Sequence, residues 1–337
     1  MPLTGDPHLV PTALTWQQEL ARGFDNVGDL LRELELDPTH EEAPKNILKD
    51  FPLRVPRGFV ARMRKHDYAD PLLRQVLPLA IEAREVAGFV ADPVGDLESL
   101  RGAGILQKYQ GRALLIVTGA CGVHCRYCFR RAYPYREAST REMESVLALL
   151  AADPSIEEVI LSGGDPLTLS DTRLGSLLAA LGKIPHVSRL RIHTRLPIVL
   201  PERVDAGLLE ALRQASKPLV VVLHSNHANE LADTVAGACS KLSSVASLLL
   251  NQSVLLRGVN DSADALVALS ERLFDCGIQP YYLHQLDRVA GAAHFEVSDQ
   301  QARELITAVA ASLPGYLVPK LVREIPGAEA KTLLNPA

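Results

Sequence analysis

The chain has 337 residues, 47% of them hydrophobic and 22% charged, which is the range of a soluble globular protein with one large domain or two ordinary ones. Its net charge of −5 argues against broad nucleic-acid binding, which needs a basic face. No secretory signal is evident in MPLTGDPHLVPT, and apolar runs such as Leu219–Leu223 are too short to span a membrane.

From Met1 to about Gly104 the pattern predicts short helices at Thr15–Arg22, Val27–Glu35, Glu41–Phe51 and Pro71–Ala83, punctuated by Pro52, Pro56, Pro71 and Pro93. This region carries no motif with assignable chemistry and reads as a helical cap or oligomer arm. An apolar strand, Ala113–Thr118, then breaks at Gly119 into a loop holding Cys121, Cys125 and Cys128, spaced C-x3-C-x2-C. Thiolates are soft ligands for iron–sulfur clusters or zinc. A closed zinc site takes four protein ligands, and no fourth Cys is near; His124, directly beside Cys125, would strain so tight a turn. Three cysteines on a four-iron cluster leave one iron open to a small molecule. A zinc knuckle or a redox pair is the alternative. With three of five cysteines in this loop, a reducing cytoplasm fits better than a disulfide scaffold, and Cys239 and Cys276 read as buried small apolar residues.

Beyond the loop, strands alternate with helices. Apolar runs at Glu158–Ser162, Arg189–Thr194, Leu219–His224, Ser247–Leu256 and Gln279–His284 predict five more buried strands. Met143, Val146, Leu147 and Leu150 trace one helical face, Leu174, Leu177, Leu178 and Leu181 another, and a further helix is expected over Asp299–Ser312. Six β-α units predict a parallel sheet with right-handed crossovers, short of the eight that close a barrel. Functional residues then gather at the carboxyl ends of the strands. There lie Ser162-Gly163-Gly164-Asp165-Pro166, His193-Thr194-Arg195, His224 to Glu230, Asn251-Gln252 and Asp287. Asn251 and Gln252 are satisfied by the barrel or line a pocket. His224 and His227 lack the carboxylate or thiolate partner a zinc site would need.

The C-x3-C-x-aromatic-C loop, with Tyr127 before its last Cys, resembles the radical S-adenosylmethionine (SAM) superfamily, whose fold is an open, partial (β/α)6 barrel. SGGDP resembles the motif that binds the amino group of SAM, with Asp165 at the usual Glu position. QKYQGRALLIVTGACGVHCRYCFRR, SGGDPL, HTRLPIV, NHANE, LLNQSVLLRGVND, PYYLHQLD and GYLVPKLVREIPG…KT together resemble the lysine 2,3-aminomutase family, from roughly Leu53 to Thr332. LRVPRGFVARM, DPLLRQVLP and PYYLHQLDRVAGAAHF place the resemblance nearest the shorter branch, which makes (R)-β-lysine for modification of elongation factor P.

The resemblance implies three divisions: a helical region over 1–104, a radical SAM partial barrel over 105–315, and a C-terminal tail over 316–337 carrying a pyridoxal 5′-phosphate (PLP) lysine. It implies a [4Fe–4S] cluster on Cys121, Cys125 and Cys128, and SAM held by Ser162, Gly163, Gly164, Asp165, His224 and Gln252. Lys331 would bind PLP covalently, and Lys108, Tyr109 and Arg112 would contact its ring and phosphate. Arg130 would pair with the substrate carboxylate, and Asp287 and Glu324 with the ε-ammonium of lysine. Arg126 and Arg131 read as solvated or flanking the cluster. The implied activity is conversion of L-lysine to (R)-β-lysine through a 5′-deoxyadenosyl radical. The implied partners are an electron donor, a lysyl-tRNA-synthetase-like ligase and elongation factor P, with a homo-oligomer possible and no role for nucleic acid or membrane. The competing readings are an aminomutase for another amino acid, such as glutamate, and a non-catalytic metal-binding module.

Overall fold

A computed structural model of the protein describes residues 14–40, 51–102, 104–135 and 143–335. The first helices are short because proline and capping residues stop them early. Trp16–Ala21 (α1) opens on a capping box between Thr15 and Gln18, and Val27–Glu33 (α2) on the Asn26 side chain. Arg57–Val60 (α3) and Pro71–Arg74 (α4) follow, the latter capped by Asp70, which accepts from the N–H groups of Leu72 and Leu73 at 2.9 and 3.0 Å. The single helix expected over Pro71–Ala83 is broken. Pro78 lacks an N–H and turns Leu77 away from helical geometry, so only a 3₁₀ turn at Ala80–Ala83 remains beyond it. The helix expected over Glu41–Phe51 falls almost wholly outside the described residues.

The remainder forms one sheet whose strand order is the sequence order: Ile105–Leu106 (β1), Arg112–Thr118 (β2), Glu158–Gly163 (β3), Arg189–Thr194 (β4), Leu219–His224 (β5), Leu248–Val254 (β6), Gln279–His284 (β7), Lys320–Arg323 (β8) and Thr332–Leu333 (β9). From β2 to β8 every pairing is parallel; β1 and β9 run antiparallel at the two edges. The six expected strands are β2 to β7. The short edges and β8 were not expected: only Leu321 and Val322 of β8 are buried, too few to mark an apolar run.

Helices Met143–Ala152 (α5), Asp171–Gly182 (α6), Leu196–Val199 (α7), Ala206–Arg213 (α8), Asp233–Ser243 (α9), Ala263–Asp275 (α10) and Asp299–Ser312 (α11) lie between the parallel strands. Each longer one turns an apolar stripe to the sheet. Val146 and Leu150 of α5, Leu174, Leu177, Leu178 and Leu181 of α6, and Ile306 and Val309 of α11 are all buried. Each such side chain contributes roughly 1.5–3 kcal/mol on leaving water. Cys239 and Cys276 are buried as expected, and all five cysteines are free. No described helix is long and apolar enough to cross a membrane. Parallel pairing puts the carboxyl ends of β2 to β8 on one rim, and the site is built there.

Candidate active site

The cysteine loop leaves β2 and doubles back against the turn after β3. Gly164 N–H donates to the Thr118 carbonyl and Asp165 N–H to the Ala120 carbonyl, both at 2.8 Å. This closeness explains both glycines. A Cβ on Gly163 would stand 2.3 Å from the Thr118 oxygen, and one on Gly164 would stand 2.2 Å from the Ala120 oxygen. Gly163 also sits at φ +124°, a conformation L side chains rarely adopt.

Asp165 is buried and saturated. One carboxylate oxygen accepts from the Thr194 hydroxyl at 2.7 Å and the Leu167 N–H at 3.0 Å. The other accepts from the N–H groups of Arg195 and Leu196 at 2.8 and 3.0 Å. Three of these bonds staple the β3 turn to the end of β4 and the fourth, from Leu167, closes the β3 turn on itself, so the side chain expected to meet the SAM amino group is already committed to the scaffold. Burial nonetheless pushes its pKa up.

Arg195, at the end of β4, is buried beside the cysteines. Its guanidinium donates to Cys125 Sγ at 2.8 Å, to Gln75 Oε1 at 2.7 Å, to Glu230 Oε2 at 2.9 Å and to the Tyr127 hydroxyl. Asn226 Nδ2 reaches the same hydroxyl at 2.7 Å, and His224 Nε2 lies 3.1 Å from it. Burial, then the neighbouring Arg195, hold His224 well below the usual imidazole range, so the ring is neutral. Gln252 is paired in register with His224 and Tyr282 and is half-buried. Asn251, on the opposite face, is absorbed by the scaffold through Ser225 and Ser253. Of the two readings of Arg126, solvated or flanking the cluster, burial excludes the first. Arg126 is 1% exposed and grips Glu82 with two nitrogens, at 2.9 and 2.5 Å, while Arg131 shares the same carboxylate at 2.7 Å.

A second network crosses the mouth of the sheet. Arg130 Nε donates to Asp96 Oδ2 at 2.6 Å and Nη1 to Ser162 Oγ at 3.1 Å. Asp96 Oδ1 pairs with Lys108 Nζ at 2.6 Å, Lys108 with Glu324 Oε1 at 3.0 Å, and Glu324 Oε2 with the Lys331 ammonium. Lys331 is carried there by a turn at Ile325–Ala328, closed by the Ala328 N–H on the Ile325 carbonyl, with Gly327 at φ +79°. Burial works to raise the Glu324 pKa, but Lys331 and Lys108 hold it down at about 2. Asp287 has the opposite balance: burial, then Glu324, push it up to about 7. Burial and Lys331 push His284 down to about 3. The Arg112 guanidinium lies 5.1 Å from the Tyr109 ring centroid.

The donor chemistry fits the cofactors the resemblance implies. Burial and mutual proximity push the Cys121 thiol well up and Cys128 up to about 11, a cost that a cationic cluster removes by binding them as thiolates. Among the described residues no three His, Cys, Asp or Glu side chains stand close enough for one ion. Thiols that each take a separate iron of a cluster need not. Around Lys331, Tyr109 OH, Arg191 Nε, His193 Nε2 and His284 Nε2 are buried without hydrogen-bond partners. With Lys108 and Arg112 they supply the cations and unpartnered polar atoms that a phosphorylated pyridine would need. Asp96 was missed by sequence reasoning because it is a single polar residue outside any motif. Gln75 and Glu230 lie inside DPLLRQVLP and NHANE but were given no role, because Gln75, Arg195 and Glu230 meet only in the fold.

An open parallel α/β sheet with a three-cysteine loop at the carboxyl end of its first parallel strand defines the radical SAM class. The Radical SAM superfamily profile matches residues 115–229. Over 328 residues the chain is 48% identical to the L-lysine 2,3-aminomutase of Escherichia coli (strain K12), covering 96% of each chain. It is 44% identical over 320 residues to that of Haemophilus influenzae, covering 94% of this chain and 95% of the relative. The enzyme of that name from Buchnera aphidicola is 42% identical over 324 residues, with 95% of each chain covered. The chain belongs to the lysine 2,3-aminomutase family.

Proposed function

We propose that this protein is an L-lysine 2,3-aminomutase that makes β-lysine. The observation that carries the reading is the ion-pair ladder from Arg130, two residues past Cys128, to Lys331. It joins the cysteine loop to a lysine donated by the far end of the chain. When bound, the cluster and SAM supply a carbon radical, and PLP supplies the carbonyl that carries the migrating nitrogen.

The protein's own groups do the holding. Cys121, Cys125 and Cys128 hold the cluster. Ser162, Gly163, Gly164, His224 and Gln252 line the SAM pocket, with Asp165 fixing the turn from beneath. Lys331 anchors PLP, and Lys108, Tyr109 and Arg112 face its ring and phosphate. Arg130 takes the substrate carboxylate, where a planar guanidinium has the right fork. Asp287 and Glu324 take the ε-ammonium. Glu324 now holds Lys331; once that amine is engaged by PLP, Glu324 is left to accept a substrate cation. Two acids at that end favour lysine over glutamate. The buried Tyr127–Arg195–Glu230 cluster excludes water from the floor, which protects a carbon radical from stray donors.

By the same reading the segment 1–104 caps the barrel of 105–315, and 316–337 is the cofactor tail. The product serves a lysyl-tRNA-synthetase-like ligase that loads elongation factor P in the cytoplasm, consistent with the similarity to the Escherichia coli enzyme. Anaerobic incubation with dithionite, SAM, PLP and L-lysine, followed by chromatography, should yield β-lysine. Turnover of glutamate with lysine untouched would overturn the assignment.

A further inference from the structure

Asp96 belongs to none of the motifs, yet, like Glu324, it pairs with two cations at the mouth. It is 1% exposed and sits in the loop between the helical region and β1. That loop is itself fixed. Asp92 accepts from the N–H groups of Asp96 and Leu97 at 3.0 and 2.9 Å, and the Val94 carbonyl accepts from Lys108 Nζ at 2.8 Å. Pro326 of the Lys331 turn packs 3.4 Å from where a Gly95 Cβ would stand. The two oxygens of Asp96 are divided, one to Arg130 Nε and one to Lys108, each at 2.6 Å.

This division decides which face of Arg130 remains available. A guanidinium presents two forks, Nε with one Nη, and the two Nη atoms end-on. Asp96 occupies Nε. Ser162 Oγ takes one hydrogen of Nη1, and Nη2 makes no hydrogen bond to the described residues. We propose that Asp96 is a positioning residue, tying the Arg130 guanidinium to the Lys108 ammonium so that the end-on fork of Arg130 faces the carboxylate of the amino-acid substrate. The inference rests on the aminomutase reading. It adds that the carboxylate subsite and the cofactor cation are set by one shared acid, so a shift in either is felt by the other.

The test uses the full chain, loaded anaerobically with cluster, SAM and PLP, without reductant so that no turnover occurs. Calorimetric titration compares L-lysine with lysinamide, which keeps both amines but lacks the anionic carboxylate. Wild-type protein should prefer lysine. Asp96→Asn should weaken lysine binding about ten- to a hundredfold, the scale of one charge-assisted hydrogen bond. Lysinamide affinity and iron content should be unchanged. A merely structural role would weaken both ligands together or neither, leaving their ratio as in wild type, and that result overturns the proposal. Tighter lysine binding would also overturn it, because Asp96 would then be a competitor for Arg130. Should the Asn variant fail to load, Asp96→Glu, which keeps the charge but displaces the fork by a methylene, decides on the same ratio. Wild-type protein that binds neither ligand would instead remove the aminomutase reading itself.

Discussion

Replacing Asp165 separates its scaffold role from a ligand role. In Asp165→Ala, four donors lose their acceptor: the Thr194 hydroxyl and the N–H groups of Leu167, Arg195 and Leu196. The hydroxyl can rotate, and Leu196 N–H keeps Thr194 Oγ1 at 3.1 Å. The N–H groups of Leu167 and Arg195 are left buried and unpaired. At about 1–3 kcal/mol for each unsatisfied group, the loss is about 2–6 kcal/mol. That is a large part of the roughly 5–15 kcal/mol that holds a domain folded. Asp165→Asn keeps one accepting oxygen and turns an amide toward the other pair of donors, so it should fall between. Urea unfolding of the apoprotein, followed by circular dichroism, should order the variants Asp, Asn, Ala. Iron uptake should fall in the same order, because the same turn receives the Ala120 carbonyl of the cysteine loop. If Asp165→Ala unfolds at the wild-type urea concentration and takes up iron normally while losing SAM, the carboxylate is a ligand and the reasoning fails.

Gly164→Ala should lower iron incorporation severalfold in reconstitution assays, since its Cβ would drive into the Ala120 oxygen and push the loop off β3. Lys331→Ala should abolish the PLP absorbance band while the brown cluster spectrum persists; retention of both would displace Lys331 from the cofactor. Asp287, with a folded pKa near 7 against an ordinary value of 3.8, stays protonated in the free protein across most of that window. The unfolded chain binds fewer protons there, so this group's contribution to stability is full below about pH 4 and is lost as pH rises toward 7. Binding of an ammonium reverses the balance. Calorimetry of lysine binding at pH 6 in buffers of differing ionisation enthalpy should therefore show release of up to one proton, and Asp287→Asn should show none.

β2, β3 and β5 were legible because parallel strands buried on both faces are written as nearly continuous apolar runs, while β4, β6 and β7 carry polar residues within theirs. The cysteine loop was legible because its chemistry and spacing are local. What the sequence hides is pairing at a distance. Arg126 looks like one more charge beside the cluster until Glu82, 44 positions away, is found gripping it. Asp165 looks like a ligand in a ligand motif, and only the β4 backbone reveals that its oxygens are spoken for. β8 was invisible because it is four residues long with only two buried side chains, and its position matters through the turn that delivers Lys331.

The two buried networks have different tasks, and their composition shows it. Around the cysteines, Gln75, Tyr127, Arg195, Asn226 and Glu230 bond to one another, and of these side chains only Arg195 Nε is buried without a partner, so the floor of the site is nearly satisfied before any ligand arrives. Around Lys331 the pairing is a chain of alternating charges in which Arg130, Lys108 and Lys331 share only two acids, Asp96 and Glu324, while four neighbouring polar atoms have no partner. A buried charge is tolerated only when paired, and an excess of cations with unsatisfied donors has one economical remedy, a polyanionic ligand. The first network therefore supplies rigidity and the second supplies demand. Ser162 touches both, lying in the glycine-rich turn and accepting from Arg130. On the reading proposed above, a substrate carboxylate seated on Arg130 would stand one hydrogen bond from the turn that faces the cysteine loop, the closeness that passing a radical to the substrate requires.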